Sequence, residues 1–146
     1  MLDPIKYIRK KIITLLTGAI THDSSTVLIY NRVPSGAAYP YIRVYGLSTN
    51  AIDDNKSKYN VECITRVEVI TRFSGSSGGD LDANTIMSQV MALLISKNQS
   101  GFDLSSDNFN CYAVQNEGVT YLEDDLVDHT YFRAILELSN KVEQTS

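Results

Sequence analysis

Polar and apolar residues alternate along residues 61–73, and this period of two predicts a long β-strand with one covered and one solvent-facing side. The residues expected on the covered side are Cys63, Val67, Val69 and Phe73. The residues expected on the opposite side are Glu62, Arg66, Glu68 and Arg72. The strand is therefore expected to lie in a sheet that is packed against other elements on one face only.

A glycine- and serine-rich loop and a helix are predicted directly after this strand. Residues 74–79 read SGSSGG, and Asp80 is a good helix N-cap because its carboxylate can accept hydrogen bonds from the first backbone amides. In residues 81–96 apolar side chains recur at helical spacing. They are Ile86, Val90, Leu93 and Leu94, flanked by Met87 and Met91. Folding this helix over the apolar side of the strand would create a two-layer core.

A second amphipathic helix is predicted at the N-terminus. Asp3 is a suitable N-cap, and Pro4 suits the first helical position because the N–H that it lacks would be unpaired there. Apolar residues follow at helical spacing, with Lys and Arg on the other side of the helix. The apolar residues are Ile5, Ile8, Ile12 and either Leu15 or Leu16.

Further strands are predicted at residues 26–33, 41–47, 109–115 and 129–139. The polar segments 48–60 and 116–128 are interpreted as long loops, and residues 139–146 as a frayed tail. The links between strands have hairpin length, which favours antiparallel pairing. The expected fold is a single α+β domain over residues 1–146. It has a mostly antiparallel sheet, two amphipathic helices on one face, and the order α-β-β-β-α-β-β.

The uncovered face of the predicted sheet is not purely polar. Arg66, Glu68, Arg72 and Arg133 share it with three apolar residues, Ile64, Ile70 and Ile135. A partly apolar, open sheet face is a place where another subunit could bind.

Composition narrows the class of protein. The 146 residues carry a net charge of −4, which argues against general nucleic-acid binding through a basic surface. No apolar run reaches the ~20 residues that a membrane-spanning helix needs, so no membrane contact is expected. Cys63 and Cys111 lie in predicted strands and are interpreted as reduced structural residues.

Candidate catalytic and metal-binding patterns are weak. His22 stands beside Asp23, Ser24 and Ser25, but residues that are adjacent in sequence do not make a catalytic triad, which requires convergence from separate elements. The acidic runs at residues 53–54 and 123–125 lack the spacing of a calcium loop, and GSSGGD lacks the lysine of a phosphate-binding loop. We therefore expect no catalytic residue, metal or cofactor.

The order of elements resembles the tail-completion, or tail-terminator, proteins of tailed bacteriophages. The resemblance lies in the PYIRV strand opening at residues 40–44, the alternating strand 67–73, the loop 74–80 and the helix 81–96. It covers residues 4 to 138 as a pattern of elements. The polar segment 48–60 and the acidic segment 116–128 depart from the family pattern.

The resemblance implies a non-enzymatic virion protein that is assembled in the host cytoplasm. Such proteins form rings, hexameric or alternatively dodecameric, that cap the tail tube, contact the head-side connector and let DNA pass without specific binding. The expected contact residues are Asp53, Asp54, Lys56, Arg66, Glu68, Arg72, Ser74, Gly75 and Gly78. The loops 48–60 and 74–79 are expected to become ordered on assembly.

The acidic segment has two interpretations. In a ring, Glu123, Asp124 and Asp125 could line the channel and repel DNA phosphates. Alternatively, they only keep the free subunit soluble. At the level of function, the alternatives to a ring subunit are a small adaptor that binds one protein partner and, as a third class, an enzyme.

Overall fold

The computed structural model describes residues 1–52, 58–96 and 102–145. Helix α1 spans Ile5–Leu16 and helix α2 spans Leu81–Leu94. The strands are β1 (Thr21–His22), β2 (Ser25–Thr26), β3 (Leu28–Tyr30), β4 (Tyr41–Ile52), β5 (Asn60–Ser74), β6 (Phe109–Asp125) and β7 (His129–Gln144). The predicted α+β class is confirmed. Among the described helices, none has the length and apolar character that crossing a membrane requires.

Strand β5 is the centre of a five-stranded sheet with the order β3-β4-β5-β7-β6. It pairs antiparallel with β4 on one side and, along its whole length, with β7 on the other. Strands β1 and β2 form a separate small hairpin. The strand predicted from the alternation at residues 61–73 is thus the central one.

One face of the sheet is covered by both helices, as predicted. Helix α1 packs mainly on β4, and α2 packs on β5 and β7. The predicted inward residues Cys63, Val67 and Val69 are fully buried. The helices contribute Ile8, Ile12, Leu16, Ala83, Ile86, Met87, Val90 and Leu94 to the same core. Of the predicted helix residues, Leu93 is the exception, because it lies exposed.

The two helices begin differently. Helix α1 begins at Ile5 with Pro4, and not Asp3, in the N-cap position, but the Ile5 backbone N–H still donates to Asp3 Oδ1 at 3.0 Å. Asp80 occupies the N-cap position of α2 as predicted, but its carboxylate forms no capping hydrogen bond. Its backbone carbonyl instead accepts from the Asn84 N–H at 2.9 Å, as part of the first helical turn.

The pairing of β3 differs from the expectation of hairpins. Only Leu28–Tyr30 of the predicted strand at residues 26–33 belongs to the main sheet, and it runs parallel to β4. Residues 31–40 carry the chain back to the start of β4, so the link acts as a crossover rather than a hairpin turn. This segment forms one wall of the cavity described below.

Parts of the three segments interpreted as loops or tail belong to strands. Strand β4 continues to Ile52, and β6 continues through the acidic segment to Asp125. Residues 139–144 are not frayed, because they extend β7 and pair with the beginning of β5 and of β6. Asn140 and Val142 are buried there. Tertiary packing therefore orders a polar segment that its local sequence pattern alone would place in solvent.

Placing a charge on the covered face should destabilise the fold strongly. Val69 is fully buried, so Val69→Asp should lower the free energy of unfolding by roughly 3–5 kcal/mol. The matched control is Ser48→Asp, which places the same carboxylate at an exposed position of β4 that pairs with Ile64 on the opposite face, and it should change stability by less than about 0.5 kcal/mol. Urea denaturation of both variants measures the difference, and equal losses would contradict the assignment of faces.

Stability should also fall at alkaline pH because of Cys63. Burial raises the pKa of this thiol to about 12 from the ordinary 9.0, so the unfolded chain loses the proton first. The stabilising contribution is complete below pH 9 and is lost as pH rises towards 12. Its slope should reach at most about 1.4 kcal/mol per pH unit.

Urea denaturation at about pH 8 and pH 10.5 checks this expectation. Cys63→Ala should reduce the alkaline loss of stability. Val67→Ala is the control, because it opens a comparable space in the same strand without removing a titratable group. A Cys63→Ala protein with the same alkaline loss as the control would show that the thiol is not responsible.

Candidate protein-interaction surface

A cavity of about 840 Å³ opens on the sheet face that the helices leave uncovered, which we call the open face. Residues 31–33 and Tyr39 form one wall, and the ends of β6 and β7 form the other. The floor consists of side chains from β4, β5 and β7. The tyrosines and arginines of the lining are Arg32, Tyr39, Tyr41, Arg43, Tyr45, Tyr131 and Arg133.

A row of charges crosses the floor of the cavity. Arg133 donates to Glu68 Oε1 at 3.1 Å and lies 2.7 Å from Asp124 Oδ2. Burial acts to lower the pKa of Arg133, but the hydrogen bond to Glu68 and the charge of Asp124 outweigh it, so the pKa is raised. Two carboxylates therefore hold one guanidinium at the junction of β5, β7 and β6.

Aromatic rings form the upper part of the cavity. The Tyr39 ring packs against Tyr41 and Tyr131, with centroids 5.0 Å and 5.8 Å away. Arg72 stacks 4.4 Å above Tyr39, and Arg43 stacks 4.5 Å above Tyr45. Partial burial raises the pKa of Tyr41, with a further rise caused by Tyr39 and Glu68. Tyr and Arg are the residue types that dominate protein–protein contact energies, so this surface is suited to a protein partner.

The predicted contact residues on β5 lie on the open face but are partly engaged within the chain. Arg66 forms a half-exposed ion pair with Glu137 at 2.8 Å. Glu68 is only 6% exposed, so the expectation that it faces solvent is wrong: Arg133 and the surrounding tyrosines cover it. Asp53, Asp54 and Lys56 lie outside the described residues.

The loop with Ser74, Gly75 and Gly78 is tied to the start of β7. The Gly75 N–H donates to the Asp128 carbonyl at 2.9 Å, and Thr130 Oγ1 donates to the Gly75 carbonyl at 2.6 Å. Gly78 has φ +92°, and the Phe73 ring occupies the space that a Cβ would need. The loop is therefore already held in place in the isolated chain.

The predicted channel residues Glu123, Asp124 and Asp125 do not lie in a loop, and they do not share one face. They end strand β6, an outer strand of the sheet, and successive side chains point to opposite faces. Asp124 points to the open face and pairs with Arg133. Glu123 and Asp125 lie exposed on the helix side.

His22 links the small β1–β2 hairpin to α2. Its Nε2 lies 3.3 Å from Asp23 and 3.5 Å from Asp82, and no serine hydroxyl bonds to it within the described residues. The neighbouring Ser24 and Ser25 therefore do not form a relay with His22. In the same described part of the chain, no three His, Cys, Asp or Glu residues converge as metal ligands.

No protein-family model matches this chain, and no curated protein matches it either. The likeness to tail-terminator proteins thus remains a prediction from the order of elements.

The tyrosine cavity is the feature that sequence reasoning missed. The signal was present in the alternation of Tyr41, Arg43 and Tyr45 along one strand. Tyr39 and Tyr131 come from distant positions, however, and only the crossover of residues 31–40 brings the first of them over the sheet.

The Arg133–Glu68 ion pair on the cavity floor should contribute far more to stability than the half-exposed Arg66–Glu137 pair beside it. Arg133→Met would leave the Glu68 carboxylate buried without its cation and should cost about 3 kcal/mol. Arg66→Met is the matched control, which removes a pair whose carboxylate is 37% exposed, against 8% for Glu68, and it should cost under about 1 kcal/mol. Urea denaturation at neutral pH measures both, and equal costs would contradict the role assigned to burial.

Proposed function

We propose that this protein is a non-enzymatic structural subunit of a tailed virion, which forms a ring that terminates the tail or joins it to the head. The observation that carries the proposal is strand β6. It is 17 residues long and, among the residues that the structure describes, it is paired along one side only, with β7. A long unpaired strand edge invites pairing with another chain, so an assembly that covers it is expected.

The other side of the sheet is also incompletely covered. Strand β3 pairs only with Tyr41–Arg43, and β4 continues to Ile52 without a described strand on its outer side. A subunit with two different free edges suits a head-to-tail contact, which generates a ring when the rotation closes. Copies of one chain arranged in this way would enclose a passage for DNA.

The open face and its rim supply surfaces for neighbouring virion proteins. Leu126 and Val127 project from the β6–β7 turn, and Val127 is 97% exposed. The tyrosine cavity begins directly beside this turn. Apolar tips and aromatic cavities of this kind fit contacts with a tail tube or a head-side connector, which we propose as the partners.

The charge of the chain fits DNA passage without binding. The net charge is −4, and strand β6 contributes four carboxylates and no Lys or Arg. Acidic walls repel phosphates, so the proposed ring would leave DNA free to move.

A second candidate function is that of an adaptor for a single protein partner. The cavity of about 840 Å³ favours it, because a monomer could bind one aromatic or charged anchor there without forming a ring. The two candidates differ in whether the chain associates with itself.

Negative-stain images and light-scattering masses of the concentrated protein test the proposal. We expect closed rings with a central hole and a mass about six times the 16.2 kDa of the chain. We also expect no retardation of double-stranded DNA in native gels at low salt. A chain that remains monomeric at every concentration, and also when purified tail tubes are added, would contradict the ring and favour the adaptor.

A further inference from the structure

Positive and negative charges are segregated along the chain. Residues 4–52 contain six Lys or Arg and a single acidic residue, Asp23. Residues 98–132 contain seven Asp or Glu and no Lys or Arg. The first segment forms α1, β3 and β4, whereas the second forms β6. Because β3 and β6 are the two outer strands, the fold carries this segregation to opposite sides of the sheet.

The side formed by α1, β3 and β4 is positive. Its cations, which we call the basic edge, are Lys6, Arg9, Lys10, Arg32 and Arg43. The three from α1 line a groove of about 530 Å³ together with Asn31, and Asn31 also borders the tyrosine cavity that contains the other two. Within the described residues, none of the five is ion-paired with a carboxylate. Their charges are thus available to a partner.

The side formed by β6 is negative. The exposed carboxylates there, which we call the acidic edge, are Glu117, Glu123 and Asp125 of β6 and Asp80 before α2. Hydrogen bonding with Asp125 and the nearby negative charges raise the pKa of Glu123, because the carboxylates crowd one another. None of the four contacts a cation within the described part of the chain.

Each edge also exposes apolar surface beside its charges. Leu28 and Leu47 are 53% and 45% exposed on the basic side. Tyr121 and Leu122 are 43% and 40% exposed on the acidic side. Charges that steer two surfaces together and apolar side chains that become buried are the usual ingredients of a specific interface.

We propose that the acidic edge of one copy binds the basic edge of the next copy. The partner is a second copy of this chain because the two edges complement each other in charge and each presents strand backbone with which no other described strand pairs. Two identical edges would repel, so the contact is head-to-tail and not two-fold symmetric. This inference rests on the proposed function, since it specifies which surfaces form the ring.

Charge reversal on one edge at a time tests the contact. One variant is Glu123→Lys with Asp125→Lys, and the other is Lys10→Glu with Arg32→Glu; all four positions are exposed. Each variant alone should self-associate at least about tenfold more weakly than the wild type, because each reversed residue then faces a residue of like charge. An equimolar mixture should associate again, because the reversed acidic edge of one then meets the reversed basic edge of the other.

Sedimentation velocity at about 50 mM and 500 mM salt measures this association, and the wild-type contact should weaken at the higher salt. Lys11→Glu is the matched control. It makes the same charge change on the same helix, but Lys11 does not line the groove. Its charge acts instead on Asp103, whose pKa it helps to lower. It should associate like the wild type, whereas Lys10→Glu should not. Circular dichroism confirms that every variant is folded.

The outcomes separate this inference from the proposed function. If the wild type forms rings and both charge-reversed variants form them equally well, the edge contact is wrong and the proposed ring stands. Restored association in the mixture as open chains or dimers supports the contact but counts against the ring. A wild type that is monomeric in low salt and also with purified tail tubes, with no association in the mixture, overturns both.

Discussion

The pairing of β5 along both of its sides is the interaction on which the other parts of the structure depend. It joins β4 and β7 into one sheet, and its alternating residues decide which face the helices can cover. Burial of Cys63, Val67 and Val69 against α1 and α2 makes that face the core. The opposite face carries charged side chains, and no helix covers them.

The open face meets this requirement by pairing charges across neighbouring strands. Arg66 faces Glu137, and Arg133 bridges Glu68 and Asp124 across three strands. Such cross-strand pairs fix the register of the sheet while leaving the face polar enough to exist without a permanent cover. The same residues form the floor of the tyrosine cavity, so the stability of the sheet and the shape of the proposed interaction surface are linked.

The proposed function rests on the face and the edges of the sheet that a single chain leaves uncovered. One face is sealed by helices, while two edges of opposite charge and a face rich in Tyr and Arg remain open. A reactive centre would bring nucleophile, base and donors together, whereas these features suit repeated contact between large surfaces. Association of copies and partners would complete the pairing and the burial that one chain cannot complete alone.

The alternation in residues 61–73 and the helical spacing in α1 and α2 were enough to predict the covered face and the α+β class, because burial periodicity is local information. Local pattern failed for β6 and for the end of β7, where the sequence is polar and charged. These segments carry few apolar residues, so their hydrogen-bonded neighbours, and not their own hydrophobicity, determine that they are strands. The parallel pairing of β3, the burial of Glu68 beside Arg133, and the meeting of Tyr39 with Tyr131 were likewise decided only in three dimensions, since each joins residues that are far apart in the chain.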